Sequence, residues 1–162
     1  MTTLTVNEPR TYELGDRNSL PVVAADIIFE GAAAGLNSAG DSRPLVAGDE
    51  FAGFTQEKAD NSTGAAGDKR VRVIEKGKIE LTVAGVDATK TGEPVYATDD
   101  NTFTLTKAAN SVRIGHVHRF ISTGKCIVAF AATSLQTGIA DPTGGVTVDA
   151  ESRTAIGSII DV

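Results

Sequence analysis

The stretch Val95-Tyr96-Ala97-Thr98-Asp99-Asp100-Asn101-Thr102-Phe103-Thr104-Leu105-Thr106 decides the fold. Val95 with Ala97, and Phe103 with Leu105, fall on one side of a period-two pattern while the threonines fall on the other. Asp99-Asp100-Asn101 supplies turn chemistry between the two halves. The segment therefore predicts a β-hairpin with one face buried. Upstream, Val71 and Val73 alternate, Glu75-Lys76-Gly77-Lys78 reads as a turn, and Ile79, Leu81 and Val83 alternate on the way back. Downstream, Val112 to Ile121 and Lys125 to Ala131 form a third pair around Ser122-Thr123-Gly124. Three successive hairpins and no βαβ unit predict an all-β fold, a small β-barrel or sandwich.

Farther out, Asp26-Ile27-Ile28-Phe29-Glu30 and Phe51-Ala52-Gly53-Phe54 read as strands. The glycines and small residues of 31–40 predict a loop, and Asp60 to Asp68 a flexible surface loop. Residues 1–20 show no sustained period and read as an extended N-terminal arm preceding a barrel domain at 21–132. Gly138, Asp141-Pro142-Thr143 and Gly144-Gly145 mark a linker over 133–148. Residues 149–162 predict a short helical tail, with Asp149 as its cap and Ile156, Ile159 and Ile160 as an apolar stripe. Such a stripe is too short to hold a helix alone and needs a surface to dock on.

The chain has 162 residues, enough for one compact domain plus loose ends, and its composition of 41% hydrophobic and 22% charged residues is that of a globular protein. With no Trp, two Tyr and six Phe, the core must be built from small and β-branched side chains. One core suffices for this length. A net charge of −6 opposes binding to a phosphate backbone, so no nucleic-acid partner is expected. The basic cluster Lys69-Arg70-Val71-Arg72, beside Asp68 and Glu75, reads as a solvated strand edge. No stretch approaches the ~20 apolar residues of a membrane span, and Met1 to Thr5 has neither the basic nor the apolar part of a signal peptide. Synthesis in a cytoplasm is the expectation, and the one cysteine, Cys126, fits a reducing compartment.

Little in the sequence carries chemistry. His116-Val117-His118 places two imidazoles on one side of a strand, as a metal would require, and Cys126 on the returning strand could be a third ligand. Val112, Ile114 and Phe120 share the histidines' parity, so packed or interface histidines are expected and no metal or other cofactor is assigned. Cys126 lies mid-strand and reads as a buried, inert thiol. No Gly-x-Ser-x-Gly elbow is present, and Gly64 to Arg70 lacks the glycine spacing and Lys-Ser/Thr ending of a phosphate loop. Asp99-Asp100-Asn101 lacks the spaced ligands of a calcium loop. No catalytic residue is nominated, and the protein is expected not to be an enzyme.

Taken together, Gly92-Glu93-Pro94-Val95-Tyr96-Ala97, the Asp99 turn, Phe103-Thr104-Leu105-Thr106, Ile114-Gly115-His116-Val117 and Ile127-Val128-Ala129-Phe130 resemble the small capsid decoration, or cement, proteins of tailed bacteriophages. That family is often described only as a conserved phage domain of unknown function. Ile28-Phe29-Glu30-Gly31 and Leu45-Val46-Ala47-Gly48-Asp49 fit the same pattern, which spans about residues 20–132. The resemblance implies a non-enzymatic β-barrel, commonly a homotrimer, at three-fold and quasi-three-fold positions on the outside of an expanded head. There it clamps neighbouring major capsid subunits against genome pressure. The implied partners are the major capsid protein and further copies of the chain, and the implied location is the virion surface after synthesis in the bacterial host cytoplasm. The tail beyond Ala132 lies outside the pattern.

A thin core gains from subunit association, and arms that order on contact are natural grips. Leu4, Val6, Tyr12 and Leu14 in the arm, and Ile156, Ile159 and Ile160 in the tail, are accordingly the expected interface residues. The alternative is a virion-displayed β-barrel binding module for host-surface or carbohydrate adhesion. The scarcity of rings able to stack on sugars, with only Tyr12 and Tyr96 available beside the phenylalanines, weighs against it. A small metal enzyme built on His116, His118 and Cys126 has the least support.

Overall fold

The computed structural model describes residues 15–132, so the first 14 residues of the expected arm, the linker at 133–148 and the helical tail at 149–162 lie outside the described residues. The described chain is all β: β1 (Arg17–Pro21), β2 (Ile27–Ile28), β3 (Ala33–Leu36), β4 (Ser42–Pro44), β5 (Glu50–Thr55), β6 (Ala59–Asp60), β7 (Arg70–Ile74), β8 (Lys76–Ala84), β9 (Pro94–Ala97), β10 (Phe103–Thr104), β11 (Val112–Ser122) and β12 (Lys125–Ala131). The first half forms a five-stranded sheet in the order β1-β7-β5-β3-β4 with the small pair β2-β6 beside it. The second half closes into a five-stranded barrel in the order β10-β8-β12-β11-β9. The expected all-β barrel is present.

Closure with five strands has a geometric consequence. Neighbours around a ring cannot alternate in direction when their number is odd, so one pair must run parallel. That pair is β10 with β8, and it spans only Phe103 with Val83 and Thr104 with Ala84. The other four neighbours are antiparallel, including the two predicted hairpins β9-β10 and β11-β12.

The predicted hairpin at 71–83 does not form. Both strands exist, but β7 pairs with β1 and β5 in the sheet, whereas β8 pairs with β12 in the barrel. Only Glu75 lies between them, too short a link for a reversal, and the supposed turn residues Lys76-Gly77-Lys78 are the first three of β8. Glu75 is thus the step from sheet to barrel. Its amide donates to the Asp16 carbonyl and its carbonyl accepts from the Ala132 amide, so both ends of the described chain are tied to this one residue. Asn18 Nδ2 adds a bond to Glu75 Oε1 at 2.8 Å. Arg17 to Leu20, assigned to the arm from sequence, are four of the five residues of β1.

The loop expected at 31–40 is also corrected. Ala33–Leu36 is β3, an inner strand paired on both edges, with Ala33 and Ala34 fully buried. Its residues are small because neighbours crowd them: a Cβ on Gly35 would lie 2.5 Å from the Asp49 carboxylate. Composition signalled a loop, but the requirement for close packing fixes a strand.

The inner strands β3 and β5 are buried on both faces, giving two apolar clusters in place of the single core expected. One comprises Val22, Ile28, Ala34, Ala52, Val71 and Val73, against β2 and β6. The other joins Phe51 and Phe54 of the sheet to Val83, Ile114, Val128 and Phe130 of the barrel. A simple alternation would send Phe51 and Phe54 to opposite faces. A bulge in β5, where Phe51 and Gly53 straddle a register shift against Ala34 and Gly35, turns both rings to the barrel. Gly53 takes a φ of 122°, and a Cβ there would run into the Ile74 carbonyl. Phe51, Phe54, Phe103 and Phe130 make one cluster of ring contacts at the seam, so four of the chain's six phenylalanines sit where sheet meets barrel.

Candidate functional site

The histidine motif is placed by two irregularities in β11. Against β9 the register shifts between Arg113 and Gly115, and against β12 it shifts between Val117 and Arg119. Val112 and Ile114 point into the barrel, but after the first shift the inward position passes to Val117, leaving His116 and His118 exposed. The expectation that both histidines share the apolar face is therefore corrected. Gly115 sits at the first shift, and a Cβ there would collide with the Ala129 carbonyl of β12, so the local geometry requires glycine. Cys126 is fully buried on the inner face of β12. The barrel wall thus separates the two imidazoles from the thiol. Among the described residues no group of three or more His, Cys, Asp or Glu side chains is arranged to hold a metal.

Burial pushes the Cys126 thiol above its ordinary value, which keeps it protonated and a poor nucleophile. The acidic turn is a local device. Asp99 Oδ1 accepts from the amides of Asn101 at 2.9 Å and Thr102 at 2.7 Å, and these bonds hold its carboxyl below the usual range. Beside it, Asp100 is held above that range, chiefly by burial and secondly by the charge of Asp99. Asp87 and Asp60 are similarly occupied, by Thr89 and Ser62, and both carboxyls are lowered.

The basic cluster is not at a strand edge, since β7 runs between β1 and β5. Arg70 and Arg72 are exposed on the side of β7 opposite Val71 and Val73, with Arg17 nearby in the same shallow cleft. Each has a partner: Arg70 Nε donates to Ser19 Oγ, and Arg72 forks onto both oxygens of Glu57 at 3.0 and 2.7 Å. The cleft therefore offers few free donors to an anion. The glycine-rich segment after β6 is closed by Asn61, whose buried Nδ2 donates to the carbonyls of Val23 at 2.9 Å and Ala65 at 2.8 Å. That contact had no signal in the sequence beyond the turn composition.

Two surface features remain. A groove of about 240 Å³ runs over Gly115, His116 and Ala129 on the outer barrel wall. A larger one of about 960 Å³ follows β8 from Ile79 to Ala84, continues along the turn to Asp87 and reaches Phe103 and Gly124. Among the described residues, Glu80 and Asp87 are its only ionisable lining; Glu80 faces Lys125 at 3.7 Å and Asp87 caps its own turn. Neither groove couples a nucleophile to a base. Large exposed apolar residues are scattered, with Phe29 60% accessible beneath Lys58, Val46 in the β4–β5 loop and Ile121 at the tip of the β11–β12 hairpin. The predicted interface residues Leu4, Val6, Tyr12, Leu14, Ile156, Ile159 and Ile160 lie outside the described residues. No family model matches this chain, and no curated protein matches it.

Proposed function

We propose that the chain is a structural decoration protein of a bacteriophage head, which binds the outer capsid surface as a homotrimer and clamps neighbouring major capsid subunits. The sequence resemblance at residues 92–131 introduces the reading. The observation that supports it best is the convergence of both ends of the described chain on Glu75. Fourteen residues precede the described body and thirty follow it, and the described residues Asp16 and Ala132, near the two points where they join it, both bond to Glu75. A body that joins two such segments, one carrying Leu4, Val6, Tyr12 and Leu14 and the other Ile156, Ile159 and Ile160, is suited to gripping neighbours. The sheet-and-barrel body then acts as a rigid spacer on the shell.

Since β1 begins at Arg17, the informative truncation removes residues 1–14 and leaves the sheet whole. Expanded heads mixed with the full chain should carry regular protrusions at three-fold positions by electron microscopy. The truncated chain should keep its melting temperature and lose head binding. Full occupancy by the truncated chain, or binding confined to host cells or glycans, overturns the reading.

A further inference from the structure

Strand β8 has one satisfied edge and one open edge. Along Lys76 to Thr82 it pairs without interruption to β12, from Ala131 back to Lys125. On its other side the pairing to β10 covers Val83 and Ala84 alone. Alternate residues of a strand direct their N–H and C=O to opposite edges. The Val83 amide donates to Gly124, on the β12 side, and the Ala84 carbonyl accepts from Leu105, on the β10 side. Lys78, Glu80 and Thr82 share the parity of Ala84. Their amides and carbonyls therefore face the open edge, where among the described residues no strand meets them.

Open edges are commonly blunted by charge, lysine above all, because like charges oppose a second strand. Here the edge carries both signs, with Lys76 and Lys78 followed by Glu80. The run Lys76-Gly77-Lys78-Ile79-Glu80-Leu81-Thr82 is regular, its even-numbered side chains are exposed, and Ile79 and Leu81 are half-buried on the barrel side, beside the large groove.

We propose that this edge is a two-fold contact between two copies of the chain, with β8 pairing antiparallel to β8 of the second copy about Ile79. Inward-facing backbone groups must meet inward-facing ones, so even residues pair with even residues. In the register centred on Ile79, Lys78 stands opposite Glu80 of the partner subunit, and symmetry makes the same pair again. Gly77 then faces Leu81 of the partner subunit, and the two Ile79 side chains meet on the axis. A register centred on Glu80 sets glutamate against glutamate, and one centred on Lys78 pairs Lys76 with Glu80 but sets Lys78 against itself; only the Ile79 register makes two opposite-charge pairs and no like-charge pair, so charge selects it. The new strand supplies partners for the open backbone groups and covers Ile79 and Leu81. The contact needs no capsid and is separate from a three-fold contact; the pair alone gives two copies, and trimers joined through it give six.

Sedimentation of the full chain, with charge-reversal variants, tests this. Lys78 and Glu80 are exposed, so neither reversal disturbs the core. The wild type should sediment as an even number of copies. K78E and E80K should each halve that number or raise the dissociation constant roughly tenfold, because one substitution makes two like-charge pairs across the axis. The double variant K78E/E80K restores both attractions and should restore the assembly. I79C should form an intermolecular disulfide on mild oxidation, and Cys126, being buried, should stay silent. A monomer, an odd number of copies, single reversals without effect, or a double variant as weak as the singles overturns the proposal. Such a failure leaves head binding by the truncation series unaffected, so the two readings fail separately.

Discussion

Phe54 on β5 and Phe130 on β12 meet edge to face, with ring centroids 4.9 Å apart and planes at 83°. This contact crosses the seam between the sheet and the barrel, and both rings are almost fully buried. A T-shaped pair places the positive edge of one ring on the negative face of the other, adding to what burial alone contributes. Replacing Phe130 by Ala should cost about 3–5 kcal/mol in urea unfolding. The Phe54→Leu, Phe130→Leu cycle should return a coupling of about 0.5–1.5 kcal/mol. The wild type should unfold in one transition by fluorescence-independent probes such as circular dichroism and calorimetry. Separate melting of sheet and barrel would show that the seam does not couple them.

Gly53 and Gly115 hold the two bulges that aim side chains inward. At each, an added Cβ would strike a backbone carbonyl on the neighbouring strand, that of Ile74 or of Ala129. Backbone cannot swing aside as a side chain can, so Gly53→Ala and Gly115→Ala should each cost at least ~2 kcal/mol. Gly124 is the control. Its φ is positive like that of Gly53, at 81°, but nothing lies within 4 Å of a Cβ there, so Gly124→Ala should cost only ~1 kcal/mol. Equal losses at Gly53 and Gly124, with little loss at Gly115, would mean that dihedral preference, not collision, sets the cost.

These bulges also explain what could be read in advance. The hairpins β9-β10 and β11-β12 were legible because alternation and turn chemistry are local. The face of His116 was not, because the shift at Gly115 lies in the pairing between strands, which no single-strand pattern carries. Ala33–Leu36 misled for the opposite reason: its small residues are set by the tightness of an inner strand, while propensity scales read them as loop. Val71 to Val83 showed two strands correctly, but pairing partners are a property of topology, and Glu75 sends them to different sheets.

Asp100 predicts a pH dependence of unusual sign. Burial and the neighbouring Asp99 raise its folded-state value above that of the unfolded chain. The unfolded chain therefore releases this proton first as pH rises, and stability falls across the window from the ordinary carboxylate value up to the raised one. Below that window both states hold the proton and nothing is lost. Asp100→Asn should therefore raise the melting temperature at pH 7, by ~1–3 °C for a solvent-screened charge worth a few tenths of a kcal/mol. At pH 3 the two proteins should melt together. A variant less stable than wild type at pH 7 would show that the Asp100 carboxylate makes a favourable contact when charged.

Cys126 reports on the opening of the barrel. Its thiol is fully buried between Leu81 on β8 and Phe120 on β11, the residues paired to it on either side, and burial also keeps it protonated. Reagent can reach the sulfur only if a neighbouring strand leaves. The short β8-β10 pairing is the weakest closure of the ring, so two routes compete: a local opening at that seam, or global unfolding. Loss of β10 alone leaves β11, β12 and β8 paired, and Cys126 stays covered. Labelling by an aromatic disulfide should therefore be slow in native buffer and should track the global unfolding free energy as urea is added. The substitution Phe103→Ala, which weakens β10, should accelerate labelling only as far as it lowers that free energy. Labelling much faster than unfolding would place a sub-global opening at β8-β12 instead.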